Sequence, residues 1–568
     1  MTLSSVATPS KIRREGFAIG RPRSTLALVT LAVGLIAVAT QLCLGMLGDV
    51  SWLITIDQKW LSGQVPYVDF VEINPPASLL LYAPAVFLAN ALGLRAELVV
   101  SAFGFASIAA SLGLAALILR RAGLIAAVGP IAYAFTLIAL AVLPGEAFCE
   151  RDHLAAVYAL PFLALCVARS ERAAVDVRLA ALAGLGLGLM AAIKPPYVLV
   201  ALALAPYLWR RIGLWAWLRS PEYYFAAAVG FAYLAVVYWG FPAYVSDVMR
   251  MGVDIYVPIR DSFGGLLLES GGLLFLVVGL LLAQVAGVTM ARSWIAVPAL
   301  AAIGAFGAYL VQGKGWLYQA QPALMLLTIA TGFAIETRSR LAMALSASTM
   351  AVAAFGILVI PNLTMAIGLA AVATWLHRRL APNDAPEQGF SRLARYGLVA
   401  AIGAACGLCV SERPMAPALE RALSRLGPHP TVAGITEVMA FGHPMARRIG
   451  AIWVQRVPSL FITSAVRRLL DEHPGDASLA RRLQPYADRD KTMLIEDIER
   501  QRPDALLVGP LDTRMHAALW SDPDITAARK DYRLFATNDR PDFPAELWVR
   551  KDLIGPRADP IDEAPRER

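Results

Sequence analysis

Apolar runs about as long as a bilayer is thick recur along this chain, more than any soluble core can absorb. The run from Leu26 to Leu47 carries no charged residue, and about 20 consecutive apolar residues suffice for a helix to cross the hydrocarbon. Similar runs follow as far as residue 410, with Arg-rich loops between them. Of the 568 residues 57% are hydrophobic and 17% charged, and the mean hydropathy is +0.57; a soluble domain carries roughly 25% charge. The fold class is a multi-pass α-helical membrane protein. The net charge of +8 is what an excess of Lys and Arg in cytoplasmic loops produces, and it is not read as a surface for nucleic acid.

Basic loops set the sidedness. Lys11, Arg13, Arg14, Arg21 and Arg23 precede the first run, which is too long for the apolar part of a signal peptide and is followed by no small-residue cleavage site. Residues 1–24 are therefore a cytoplasmic N-terminus and 25–47 an uncleaved first helix. The later runs are 97–119, 123–143, 154–168, 179–193, 198–209, 223–240, 272–291, 294–311, 321–335, 341–360, 363–376 and 395–410, about 13 crossings within a membrane domain spanning 25–410. The run 76–93 is short and opens on Pro75-Pro76. Counting it as a crossing puts Arg120-Arg121 outside, so it is expected to lie along the outer face, within an outer loop 48–96. After residue 411 charge rises and strand-like stretches (Thr431–Ile435, Ile449–Val454, Leu460–Thr463, Ala505–Val508, Leu547–Arg550) alternate with helix-like ones (Ala465–Glu472, Thr492–Gln501), which predicts a small extracytoplasmic α/β domain over 411–558 and a disordered tail over 559–568. The cysteines are Cys43, Cys149, Cys166, Cys406 and Cys409; the last two, although spaced CxxC, lie in an apolar run and are read as small helix-packing residues.

On this topology four polar stretches, 48–75, 145–153, 194–197 and 312–321, fall on the outer face, and ionisable groups near membrane depth mark a functional cavity. Asp49, at the mouth of the first helix, either takes the proton from an acceptor hydroxyl or caps its loop. Asp69 and Glu72 either bind a cation or sugar hydroxyls or are solvated loop charge. Glu150, Arg151, Asp152 and His153 either cap a helix through its dipole or ligate a divalent cation; no Cys/His spacing makes a metal specific, so the metal is unknown and no cofactor is assigned. Lys194 and Lys314 are point charges suited to phosphate or snorkel to the interface. Trp316 and Tyr318 fit an aromatic belt or stack on a sugar or isoprenoid. The glycines at 184, 186 and 188 lie within a helix and point to close helix packing.

An Asp directly after the first helix (Asp49), Gly63, the stretch Pro66-Tyr67-Val68-Asp69-Phe70 and Asn74-Pro75-Pro76 together resemble the GT-C superfamily of polyprenyl-phosphate-sugar-dependent glycosyltransferases, in its protein O-mannosyltransferase-like and lipid A aminoarabinose transferase-like branches. The resemblance covers about residues 25–410. It implies an enzyme of the bacterial inner membrane that moves a hexose or pentose from a polyprenyl-phosphate donor to a glycan, lipid or protein acceptor in the cell envelope, with Asp49 as catalytic base and Glu150, Arg151 and Asp152 where relatives place further acidic active-site residues. Two positions depart from the family pattern. Asn74 stands where a phosphate-binding Lys is frequent, leaving Lys194 or Lys314 to supply that charge, and Gln319 stands where a His is frequent. A transporter or flippase of a lipid-linked saccharide is the alternative; it calls for internal repeats and a charge near the bilayer midplane, and no such repeat is visible.

Overall fold

The computed structural model describes residues 23–336, 416–509, 513–538 and 544–554. The first of these is a helical bundle: α1 Arg23–Leu44, α2 Gly48–Leu61, α3 Ala77–Leu92, α4 Ala96–Arg121, α5 Pro130–Ala141, α6 Arg151–Ser170, α7 Val177–Ile193, α8 Val198–Ile212, α9 Leu214–Leu218, α10 Pro221–Gly240, α11 Met249–Met251, α12 Phe263–Leu268, α13 Ser270–Ala286, α14 Ser293–Gln312 and α15 Leu317–Glu336. Among the described residues five segments are long and apolar enough to cross a membrane: Ser24–Leu44, Ala96–Arg121, Arg151–Ser170, Leu214–Gly240 and Ser293–Gln312. The expected crossings at 341–360, 363–376 and 395–410, with Cys406 and Cys409 and the tail 559–568, lie outside the described residues.

α6 is the axis of the bundle, with 89% of its apolar window buried, whereas the windows of α1 and of the segment holding α10 are 11% and 6% buried. Leu28 and Leu42 on α1 and Phe231 and Trp239 on α10 are exposed; a helix apolar all round is stable in hydrocarbon rather than water. The glycines of α7 pack as expected. A Cβ at Gly184 would meet the Glu222 carbonyl at 2.3 Å and one at Gly186 the Tyr158 carbonyl at 2.4 Å, so α7 touches the backbones of α6 and α10.

The stretch after the first helix is not a loop. Residues 48–61 form α2, with Asp49 in its first turn and Lys59 in its last, the polarity a helix dipole favours, and with Val50, Trp52, Leu53, Ile54 and Ile56 buried. Val71, six residues before α3, donates its N–H to the Arg456 carbonyl at 2.8 Å, and Glu97, five residues after it, pairs with Arg447 at 2.6 Å; both partners belong to the C-terminal unit.

That unit contains α16 Pro417–Ser424, β1 Thr431–Ile435, α17 Met439–Gly442, α18 Met445–Arg448, β2 Ile452–Trp453, α19 Phe461–Glu472, α20 Ala477–Gln501, β3 Ala505–Val508, α21 Thr513–Ser521, α22 Pro523–Ala528, β4 Tyr532–Asn538 and β5 Ala545–Arg550. The sheet order is β2-β1-β3-β5-β4; β1 runs parallel to β2 and β3, and β5 antiparallel to β3 and β4. Ala433, Ile435, Leu506 and Val508 pack with Leu494 and Ile498 of α20. The alternate residues Val432, Leu507, Leu547 and Val549 join a core continuous with the bundle, as the period of two in a strand requires. Leu460–Thr463, expected as a strand, instead opens α19, because Ile462, Ala465, Val466 and Leu469 are buried at helical spacing. β4 was not foreseen: its exposed Leu534 and half-buried Arg533 blur the alternation.

The two units meet closely at Gly48. A Cβ there would lie 2.7 Å from the His443 carbonyl and 2.9 Å from Ala440 Cα, backbone atoms that cannot yield. Beside this contact the His443 ring, fully buried, sits 5.2 Å from Trp52 and 4.5 Å from Trp453, and burial pushes it down to about 3. Gly48→Ala is expected to cost about 1–3 kcal/mol through overpacking and to expose the junction to protease, whereas Gly34→Ala, with open space around it, does neither; thermal melts and limited proteolysis in detergent read both.

Asp490 gives the C-terminal unit a pH dependence. Its Oδ2 accepts from Thr463 N and Oγ1 at 3.0 and 2.7 Å, and burial raises it to about 6. The folded carboxyl thus titrates above its unfolded value, so its stabilising contribution is whole below about pH 4 and is lost as pH rises through about 6. Asp490→Asn should raise the melting temperature at about pH 8 and leave it unchanged at about pH 4.

Candidate active site

Three of the four polar stretches, 48–75, 145–153 and 312–321, contribute lining residues to one cavity of about 560 Å³ beneath the C-terminal unit, and the stretch 194–197 lines none of it. The cavity is reached from the sequence in three steps. α1 ends at Leu44, and Gly45, at φ +81°, turns the chain into α2. Leu47 N–H then donates to the Glu146 carbonyl at 3.0 Å, so the first turn of α2 stands against the 145–147 turn, and Asp49 faces the cavity. Finally α6 begins at Arg151 with Glu150 as its N-cap: Glu150 Oε2 accepts from Asp152 N–H at 2.5 Å, and Oε1 accepts from Arg151 Nε at 3.2 Å. The Arg151 guanidinium is held along the cavity wall, with Nη2 3.8 Å from Asp49 Oδ2.

Glu72 closes the facing wall. Its Oε2 accepts from the Trp52 indole at 2.6 Å, and its Oε1 accepts from the Asn74 N–H at 2.8 Å and from the Asn74 side-chain amide. Burial pushes the Glu72 carboxyl up, and Arg151 opposes that. Trp316 and Tyr318, with rings 5.6 Å apart, form an aromatic edge on the third side.

The remaining expected residues divide clearly. Asp69 is outside the cavity: its Oδ2 accepts from Val65 N–H at 2.7 Å and closes an exposed turn. His153 is a packing residue. Its Nδ1 accepts from Cys149 N–H at 3.0 Å, so Nε2 carries the proton and donates to the Leu140 carbonyl at 2.8 Å. Lys314 points away, donating to the carbonyls of Tyr256 and Ile259 and lying 4.0 Å over the Tyr256 ring; burial, then Arg260 and Arg468, bring it down to about 8. Lys194 is behind the wall, paired with Asp152. Gln319 is buried, and its side-chain amide makes no hydrogen bond.

Among the described residues no group of three or more His, Cys, Asp or Glu side chains gathers as a metal centre. Asp49 and Glu150 flank the Arg151 guanidinium instead, a cation already matched to both carboxylates, so these residues do not fit a divalent ion.

Sequence reasoning missed the roof. Glu437, Val438, Met439 and Ala440, with Val457 to Ser459, Phe461 and Ile462, close the cavity from the C-terminal unit, and Tyr256 and Met251 complete it. Glu437 Oε2 accepts from Ser464 Oγ at 2.6 Å. No local signal marks these residues, because their partners lie hundreds of positions away. Lys314 fastens the segment 250–261, where its two acceptors lie, so Lys314→Met should speed amide hydrogen exchange over those residues.

No protein-family profile and no curated protein matches the chain. Among solved structures, the crystal structure of ArnT from Cupriavidus metallidurans bound to undecaprenyl phosphate matches over 94% of this chain and 100% of that one, with 14% identity and a TM-score of 0.55. At that identity the likeness is one of fold: this chain has an ArnT-like fold with a small sheet in its C-terminal region.

Proposed function

We propose that the chain is an inverting glycosyltransferase of the inner membrane that takes a sugar from a polyprenyl-phosphate donor on the outer face, with its N-terminus cytoplasmic and its C-terminal unit periplasmic. The observation that carries this reading is the facing pair Asp49 and Arg151 in a cavity edged by Trp316 and Tyr318. The undecaprenyl phosphate bound to the ArnT neighbour supports a lipid-phosphate ligand.

The chemistry follows from the positions of the charges. Asp49 takes the proton of the acceptor hydroxyl as that oxygen attacks the anomeric carbon. The bond from that carbon to the phosphate oxygen breaks, and the electron pair leaves with polyprenyl phosphate. The guanidinium of Arg151 faces the charge that develops on the phosphate, where preorganised electrostatics act most strongly. Arg151 replaces Lys194 and Lys314 in this role because both lysines are bonded elsewhere and it alone of the three lines the cavity. Glu72 and Asn74, fixed to each other and to Trp52, bind sugar hydroxyls. The roof from the C-terminal unit meets the acceptor, a glycan, lipid or protein.

Purified protein incubated with a panel of polyprenyl-phosphate sugars tests the assignment. Asp49→Asn should lower transfer by about 10²-fold or more, and Arg151→Lys, which loses the two-pronged fork, should raise the donor KM. Full transfer by Asp49→Asn removes the base assignment. No transfer by wild type, together with movement of lipid-linked saccharide across liposomes, replaces the enzyme with a transporter.

A further inference from the structure

Lys194, Asp152 and Tyr197 form a buried polar cluster one layer behind the cavity wall, and the mechanism above does not use it. A helix break builds it. Pro195 offers no N–H and disfavours helical geometry in the residue before it, so α7 stops at Ile193 and Lys194 is extended, at φ −144° and ψ 102°. That geometry carries the ammonium to the first turn of α6, where it pairs with Asp152 and donates to Gln312 Oε1 at 3.1 Å. The Tyr197 hydroxyl donates to the other oxygen of Asp152 at 2.5 Å. Asp152 is fully buried, and the residue before it is Arg151. Lys194 also lies 5.5 Å from the ring of Tyr318, which lines the cavity.

We propose that Lys194 is a positioning residue for the donor phosphate: by neutralising Asp152 it leaves the guanidinium of Arg151 free to face the cavity. Three carboxylates, Asp49, Glu150 and Asp152, crowd the start of α6 against two cations, Arg151 and Lys194. Arg151 already donates to Glu150 and stands beside Asp49. Without Lys194, Asp152 becomes an uncompensated buried charge one residue along α6 from Arg151, close enough in low dielectric to act on that guanidinium without touching it. It draws the guanidinium inward and lowers the potential that a phosphate meets. The two lysines thus divide: Lys314 ties down a loop, and Lys194 acts on the phosphate through Asp152 and Arg151.

This inference rests on the reading of the cavity as a polyprenyl-phosphate site, so the test begins with binding of undecaprenyl phosphate to the purified full-length chain in detergent. Lys194→Met should weaken binding about tenfold, Asp152→Asn should bind at least as tightly as wild type, and the double variant should return to within about threefold of wild type. In transfer assays Lys194→Met should raise the donor KM and leave kcat nearly unchanged. A merely structural role makes both single variants weak and the double variant no better, and that result overturns the proposal, as does wild-type affinity in Lys194→Met. Should Lys194→Met fail to fold, Asp152→Asn decides alone, because weakened binding there has the wrong sign. Absence of binding by wild type removes the reading of the cavity itself, a failure distinct from any difference among the variants.

Discussion

Everything at the centre of this molecule depends on keeping one guanidinium charged where water is scarce. Arg151 is buried, and a buried charge persists only when it is matched and hydrogen-bonded. The match comes from Glu150, the N-cap of the same helix, and from Asp49, which arrives on a separate helix. The first requirement is met locally, by the N-cap Glu150 directly before Arg151. The second is met only if the chain turns back at Gly45 and packs α2 against the 145–147 turn. The bundle around α6 is therefore arranged to bring two helix N-termini together, and both termini favour acidic side chains.

Much of this was legible in the sequence. Apolar length marked four of the five described membrane-length segments to within a few residues and the start of Leu214–Gly240 less closely, because a bilayer imposes a minimum on helix length that composition alone reveals. Asp49, Glu72, Arg151 and Tyr318, which line the cavity, are visible in the sequence because ionisable and aromatic groups stand out against apolar flanks. What stayed hidden depends on direction rather than presence. Nothing in the sequence says that the imidazole of His153 turns back to Leu140, that Lys314 is captured by two carbonyls, or that Asp69 closes a turn outside the cavity. α2 was read as a loop because its polar positions, Asp57, Gln58 and Lys59, interrupt the apolar pattern, and what they pack against is provided by parts of the chain far removed in sequence.

The C-terminal unit shows the same limit more sharply. Its parallel strands were visible as short apolar segments, yet its relation to the bundle was not. Lys59 reaches the Gln455 carbonyl at 2.5 Å, Arg447 bridges Glu97 and Gln58, and Arg489 pairs with Asp247 at 2.6 Å. The outermost of these pairs are half exposed, and individually such contacts contribute little. The junction is held instead by the shared apolar core and by the close approach at Gly48.

A roof supplied by residues 437–462 also has a consequence in time. The walls around Asp49 and Arg151 come from the early part of the chain, but the chamber has no ceiling until the last third has been synthesised and docked. A partly made chain can insert its helices and still present an open, water-filled basin in which charges are screened. The site closes last, so a covered chamber around Asp49 and Arg151 arises only once residues 437–462 are in place.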